Sequence, residues 1–116
     1  LAYAEYVLLC PFYSRCRLAT ERANEYELLG PEVVSTMGNF IDNHDVPRFL
    51  TQQPDDVLMR NALAWIMLAD GLPTIYYGTG SGMMGNVQHG GNRMCLWEQG
   101  YNESNPTFQT ISRLAK

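Results

Sequence analysis

Two short apolar runs joined by one amphipathic segment constrain this chain more than any other feature. The first places Phe40 and Ile41 ahead of a polar cluster, and "GNFIDN" is read as a strand from about Gly38 to Asn43. The second, "LPTIYYG", is β-branched and aromatic, bounded by Pro73 and Gly78, and is read as another buried strand. Between them Leu58, Ala62, Trp65, Ile66 and Ala69 recur at three- and four-residue spacing, which predicts a helix from about Asp55 to Ala69. Pro54-Asp55-Asp56 supplies its start, with two carboxylates at the positive end of the helix dipole, and Gly71 and Pro73 end it. Strand, helix, strand is the pattern of a parallel βα unit. A parallel sheet needs both faces covered and its strands paired, so these two strands belong to a larger α/β barrel or doubly wound domain.

The flanks extend the same pattern. Helix formers and charges from Ala19 to Leu29 predict a helix stopped by Gly30-Pro31. Six of the ten glycines lie between Gly78 and Asn92, which is read as a loop. From Thr107 to Lys116, Phe108, Ile111, Leu114 and Ala115 fall at helical spacing and end in a basic turn that suits a helix C-terminus. In barrels and doubly wound sheets alike, chemistry lies at the carboxyl ends of the strands. Asp42, Asn43, His44 and Asp45, in "DNHD", and the glycine-rich loop both occupy such ends.

Composition narrows the partners. A chain of 116 residues that is 46% hydrophobic can build one small domain at most. A net charge of -4 and scattered Lys and Arg offer no cationic field for a phosphate backbone, so no nucleic-acid partner is expected. No apolar run approaches the roughly 18 residues that span a bilayer, so no membrane partner is expected. "LAYAEYVLLCPF" contains Glu5 and lacks the basic flank of a signal peptide. The chain opens without Met inside apolar sequence, which is read as a truncation. Cys10, Cys16 and Cys95 are an odd set: Cys10 and Cys16 could close a short loop in an exported protein, or all three are unpaired thiols. Asn102-Glu103-Ser104 fits the N-glycosylation pattern and points to secretion, whereas proline excludes Asn105-Pro106-Thr107.

"GNFIDNHDVPRF", the amphipathic helix, "DGLPTIYYG", the glycine-rich loop and "NRMCLW", in that order and separation, resemble the last two βα units of an α-amylase, in the glycoside hydrolase family 13 clan. The best match covers residues 38–97. The resemblance implies a fragment of a (β/α)8 TIM barrel, with "NFIDN" as its seventh strand and "PTIYYG" as its eighth. Residues 1–116 would then be the C-terminal part of an α-amylase-like catalytic barrel. It implies a retaining mechanism, with a nucleophile, a general acid and a third carboxylate that grips the distorted sugar. Asp45 matches that third carboxylate, His44 the histidine that hydrogen-bonds the same sugar, and Arg93 the arginine that orients the sugar-binding groups. Electrostatics agrees, because an ionised carboxylate stabilises positive charge developing on an oxocarbenium-like sugar. The implied partner is an α-glucan oligosaccharide or polysaccharide such as starch or glycogen. No cofactor is implied for this segment; Ca2+ in a complete family member is held by earlier segments.

The departures carry weight as well. Gly80 stands where the clan commonly has an acid after the eighth strand, and His89-Gly90 stands where family members often have Asp-Pro. The motifs that would hold the nucleophile and general acid belong to earlier strands and are absent from this sequence. Two functions follow: a fragment of an α-1,4-glucan hydrolase, or an inactive amylase-derived fragment that at most binds carbohydrate. A metal module built from His44, Asp45 and His89 lacks compact ligand spacing, and no metal ligand is assigned. Asp42 is read as a solvated or salt-bridged carboxylate, Arg48 as a local pairing partner, and Trp65 and Tyr76 as core. Tyr77 and Trp97 offer aromatic faces suited to the wall of a sugar cleft.

Overall fold

The computed structural model describes residue 24 and residues 26–116. Strand β1 (Gly38–Asn39) and strand β2 (Leu72–Pro73) lie side by side and parallel, with Gly38 opposite Leu72 and Asn39 opposite Pro73. A helical crossover joins them, as the sequence pattern predicts. The N–H of Leu72 donates to the Met37 carbonyl and that of Thr74 to the Asn39 carbonyl, both at 2.8 Å. Alternate residues of a strand address opposite edges, so Pro73 turns its missing N–H away from β1 and costs that ladder nothing.

Regular pairing is shorter than the predicted strands, Gly38 to Asn43 and Leu72 to Gly78. Beyond Asn39 the chain bends inward to bury Ile41 and Asp42. Beyond Thr74 it winds into turns in which Thr79 N–H donates to the Tyr76 carbonyl and Met83 N–H to the Gly78 carbonyl. The ladder therefore ends where the two loops after β1 and β2 begin.

Among the described residues the α-helices after Gly30 are α1 (Pro31–Val34), α2 (Phe49–Gln52), α3 (Asp56–Leu68) and α4 (Pro106–Leu114). Two are longer and end-capped. Asp55 caps α3 by accepting from the N–H groups of Val57 and Leu58, at 2.7 and 3.3 Å. Asn105 caps α4 by accepting from Thr107 N–H at 2.9 Å, with Pro106 in the first turn. Of the predicted Ala19–Leu29 helix, residues 26–29 are helical and end at Gly30, whose φ of 80° favours glycine; residues 19–23 lie outside the described residues. Cys10 and Cys16 lie outside them too, and Cys95 is a free, half-buried thiol. Pro31 opens α1, since a first-turn proline lacks only an N–H that has no helical partner.

One apolar cluster holds these elements together: Ile41, Phe49, Leu50, Met59, Ala62, Leu63 and Ile66, flanked by Leu58, Met67, Ile111 and Leu114. Helix α3 buries the predicted Ala62 and Ile66, with Leu58 packed at the edge, but adds Met59 and Leu63 in place of Trp65 and Ala69. Trp65 is 38% exposed, which corrects its assignment to the core. Its sequence is apolar around most of the circumference, so periodicity alone left the inward face open, and packing against α4 selects it. Leu28, Leu68 and Leu72 remain exposed at the surface. Among the described residues no helix is long and apolar enough to cross a membrane.

Candidate functional site

The loop leaving β1 has a dry side and a wet side. On the dry side Asp42, 3% exposed, accepts from Phe49 N–H at 2.7 Å and from the Thr79 hydroxyl at 2.8 Å. Its second oxygen lies 3.6 Å from Arg48 Nη1. Asp42 is therefore the salt-bridged carboxylate of the two sequence alternatives and not the solvated one. Arg48, fully buried, pairs locally as expected but reaches much further. Its Nε donates to the Asn92 carbonyl at 2.9 Å, Nη1 to the Tyr77 carbonyl at 2.7 Å, and Nη2 meets the Met83 sulfur at 3.2 Å. Its guanidinium also lies 4.3 Å from the centre of the Tyr76 ring. An uncompensated buried charge is strongly unfavourable, and the planar fork of arginine suits such multiple pairing. The ion pair thus ties the loop after β1 to the loop after β2.

Tyr76 is half-buried rather than core, in edge-to-face contact with Tyr77 at 4.7 Å. Burial pushes its phenol above the usual pKa, helped by Tyr77 and opposed by Arg48.

On the wet side stand the predicted residues. His44 and Asp45 are exposed, their side chains 62% and 51% accessible, with imidazole Nε2 3.3 Å from the Asp45 carboxylate. Asn43 shapes the turn beneath them: its side-chain oxygen accepts from the N–H groups of Asp45 at 2.8 Å and Val46 at 3.1 Å. Arg93 joins the cluster through the backbone, donating from Nε and Nη2 to the His44 carbonyl at 3.1 and 3.0 Å. Fold and loops thus gather His44, Asp45 and Arg93, residues up to 49 positions apart, into one exposed cluster. Trp97 and Tyr77 are exposed.

Asn92 was missed by sequence reasoning. It is fully buried, and its amide donates to the His44 and Val46 carbonyls, both at 2.9 Å. Its adjacency to Arg93 was the only signal, and nothing local marks it as interior. The glycine-rich loop can make this approach because of Gly85, where a β-carbon would sit 1.9 Å from the Gly91 carbonyl oxygen. Gly85 C=O accepts from Arg48 N–H at 2.9 Å, so the glycine seats the loop directly on the buried ion pair.

Chemically, an exposed carboxylate beside an imidazole can grip vicinal hydroxyls and stabilise adjacent positive charge. Breaking a glycosidic bond by the two-carboxylate route needs a second carboxyl group across the bond. Among the described residues no three His, Cys, Asp or Glu side chains form a group that could hold a metal ion. A cavity of about 290 Å³ near the starts of α3 and α4, lined in part by Pro54, Asp56 and Asn105, includes none of His44, Asp45 and Arg93.

Residues 19–113 match the family model for the alpha-amylase catalytic domain. The chain is 44% identical over 81 residues to alpha-amylase 1 of Schwanniomyces occidentalis, covering 70% of this chain and 16% of that protein. It is 40% identical over 75 residues to the alpha-amylase of Saccharomycopsis fibuligera, covering 65% and 15%. It superposes on an alpha-amylase from Malbranchea cinnamomea with a TM-score of 0.66 at 34% identity, covering 70% of this chain and 17% of that one. For CldA, a cyclomaltodextrin glucanotransferase, the TM-score is 0.63 at 32% identity, covering 89% and 20%. These neighbours are TIM-barrel proteins, and the chain corresponds to a fragment of them. With the family model covering most of its length, this chain belongs to the alpha-amylase catalytic domain family, in glycoside hydrolase family 13.

Proposed function

We propose that this chain supplies the last two βα units, strands seven and eight, of the catalytic barrel of a retaining α-1,4-glucan hydrolase. One observation carries the reading: His44 and Asp45 stand exposed just past the carboxyl end of β1, and the loop following the parallel neighbour β2 holds them there. Asp45 is assigned the carboxylate that stabilises the oxocarbenium-like transition state. His44 is assigned a hydrogen bond to the same sugar, and Arg93 the orientation of the sugar-binding groups. The nucleophile, the general acid and any Ca2+ ligands fall to other segments of the complete domain. Exposed Leu68 and Leu72 fit such a fragment, since neighbouring barrel elements would cover them. The exposed Asn102-Glu103-Ser104 turn supports an exported protein, and a glycan-free Asn102 on material secreted from yeast would remove that support.

A second reading, an amylase-derived fragment without activity that at most binds carbohydrate, draws on the loop after β2. A side chain at position 80 would point at Phe108 and Ile111 of α4, and the His89-Gly90 turn brings no carboxylate. A chimera decides between the two. In it, this chain supplies the 81-residue stretch that it matches in the Schwanniomyces occidentalis enzyme. Starch hydrolysis by the chimera, lost on Asp45→Asn, is the expected result; a folded but inert chimera favours the second reading. The 116-residue chain alone is expected to release no reducing sugar from starch, and clear turnover free of contaminating amylase overturns the division of roles proposed here.

A further inference from the structure

Three hydrogen bonds converge on one backbone carbonyl. His44 C=O accepts from Asn92 Nδ2 at 2.9 Å and from Arg93 Nε and Nη2 at 3.1 and 3.0 Å. Asn92 Nδ2 also donates to Val46 C=O, at 2.9 Å. Those two carbonyls flank Asp45, so a single side-chain amide brackets the backbone that carries the exposed carboxylate.

The amide is anchored on its own side. Asn92 is fully buried, its N–H donates to the Asn86 carbonyl at 2.9 Å, and its carbonyl accepts from Arg48 Nε at 2.9 Å. Arg48 is paired with Asp42. A continuous set of hydrogen bonds therefore runs from the buried ion pair through Asn92 to the wet loop.

The remaining atom of that side chain is informative. Asn92 Oδ1 is buried and has no hydrogen-bond partner. A buried acceptor left unpaired is unfavourable, and native interiors contain few of them. Leucine would avoid that penalty but offers no donor, and an ionised aspartate would set acceptors against two carbonyl oxygens. What asparagine alone among these supplies is a pair of N–H donors in one plane, aimed at both carbonyls.

We propose that Asn92 is a positioning residue for Asp45: its amide fixes the His44 and Val46 carbonyls and so sets where the Asp45 carboxylate meets the sugar. The proposal rests on the reading of Asp45 as the transition-state-stabilising group. Asn92 touches no substrate in this scheme; it acts through the backbone.

The test is a double-mutant cycle in the chimera, reading kcat and KM on starch together with the melting temperature. Asn92→Ala is expected to lower kcat on the order of 10²-fold, the scale of a misplaced catalytic group, with KM changed far less. In an Asp45→Asn background the same substitution is expected to lower kcat less than about threefold, because the group it positions is already gone. Asn92→Ser, which keeps one hydroxyl donor, is expected to fall between wild type and alanine, and it carries the same comparison where the alanine variant does not fold. Equal losses of kcat in both backgrounds would show that Asn92 supports the fold at large, and would overturn the positioning role while leaving Asp45 in place. If Asp45→Asn alone leaves kcat unchanged, the reading of Asp45 falls, and the positioning role falls with it.

Discussion

Asp42 and Asp45 are three residues apart in one loop and live in opposite environments. Asp42 is sealed inside, its oxygens shared among Phe49 N–H, the Thr79 hydroxyl and Arg48. Asp45 stands in water with its backbone held and its carboxylate free to meet a ligand. The difference separates two uses of the same chemical group. A buried carboxylate that is fully paired holds loops in place and has nothing left for a substrate. An exposed one on a fixed backbone is ready for chemistry, because its orientation is set before the substrate arrives.

The largest expected effect tests the dry side. Arg48→Met in the chimera should destabilise the domain by about 3–5 kcal/mol, because it leaves the Asp42 carboxylate buried without its cation. Adding Asp42→Asn should recover part of that loss by removing the orphaned charge. Denaturant unfolding measures both. A loss below about 1 kcal/mol for Arg48→Met would mean that the pair behaves like a surface salt bridge, and the contrast between the two aspartates would collapse.

Next comes the wet side. Asp45→Asn should reduce kcat on the order of 10² to 10³-fold, the range for removing one preorganised electrostatic group. Its effect on stability should stay within about 0.5 kcal/mol, as for other exposed substitutions. Asp42→Asn should show the mirror image, a marked loss of stability with a much smaller change in kcat per folded molecule. Kinetics and unfolding on the same two variants sharpen the comparison, and equal effects on kcat would withdraw the role assigned to Asp45.

This division was only half legible in the sequence. Local signals read correctly: the helix started by Pro54-Asp55-Asp56, the C-terminal helix through Phe108, Ile111 and Leu114, and the strand–helix–strand order that makes β1 and β2 parallel neighbours. Each depends on residues within a turn or two of one another. The exposed cluster was legible through a motif resemblance and the rule that strand ends carry chemistry; the structure brings His44, Asp45 and Arg93 together. The network beneath them was not. Asp42 meets Thr79 across 37 positions, and Arg48 meets Asn92 across 44, so neither burial nor partner can be read from neighbours in sequence. The inward face of α3 was legible at Ala62 and Ile66, with Leu58 at its edge, but not at Met59, Leu63 or Trp65: all of these are apolar, and only packing against α4 and the rest of the core chooses among them. Short α1 and α2 went unread because a single turn has almost no periodicity to detect.

Between the two aspartates sits Asn43, and its replacement has the smallest expected effect. Its side-chain oxygen accepts from the N–H groups of Asp45 and Val46, closing the turn that lifts His44 and Asp45 out of the interior. The turn is near the surface, so in Asn43→Ala both N–H groups can find water, and the net loss should be about 0.5–1.5 kcal/mol. Asn43→Ser should restore part of it, because a hydroxyl can close the same kind of turn more weakly. The loop is also held from its other side by Asn92, which grips the carbonyls of His44 and Val46 whether or not the turn is closed. Asn43→Ala should therefore lower kcat far less than Asp45→Asn. A loss of kcat as large as that of Asp45→Asn, with the melting temperature unchanged, would mean that the local turn rather than the buried network sets the carboxylate, and the boundary between the two regions would have to be drawn at Asn43 instead of at Asn92.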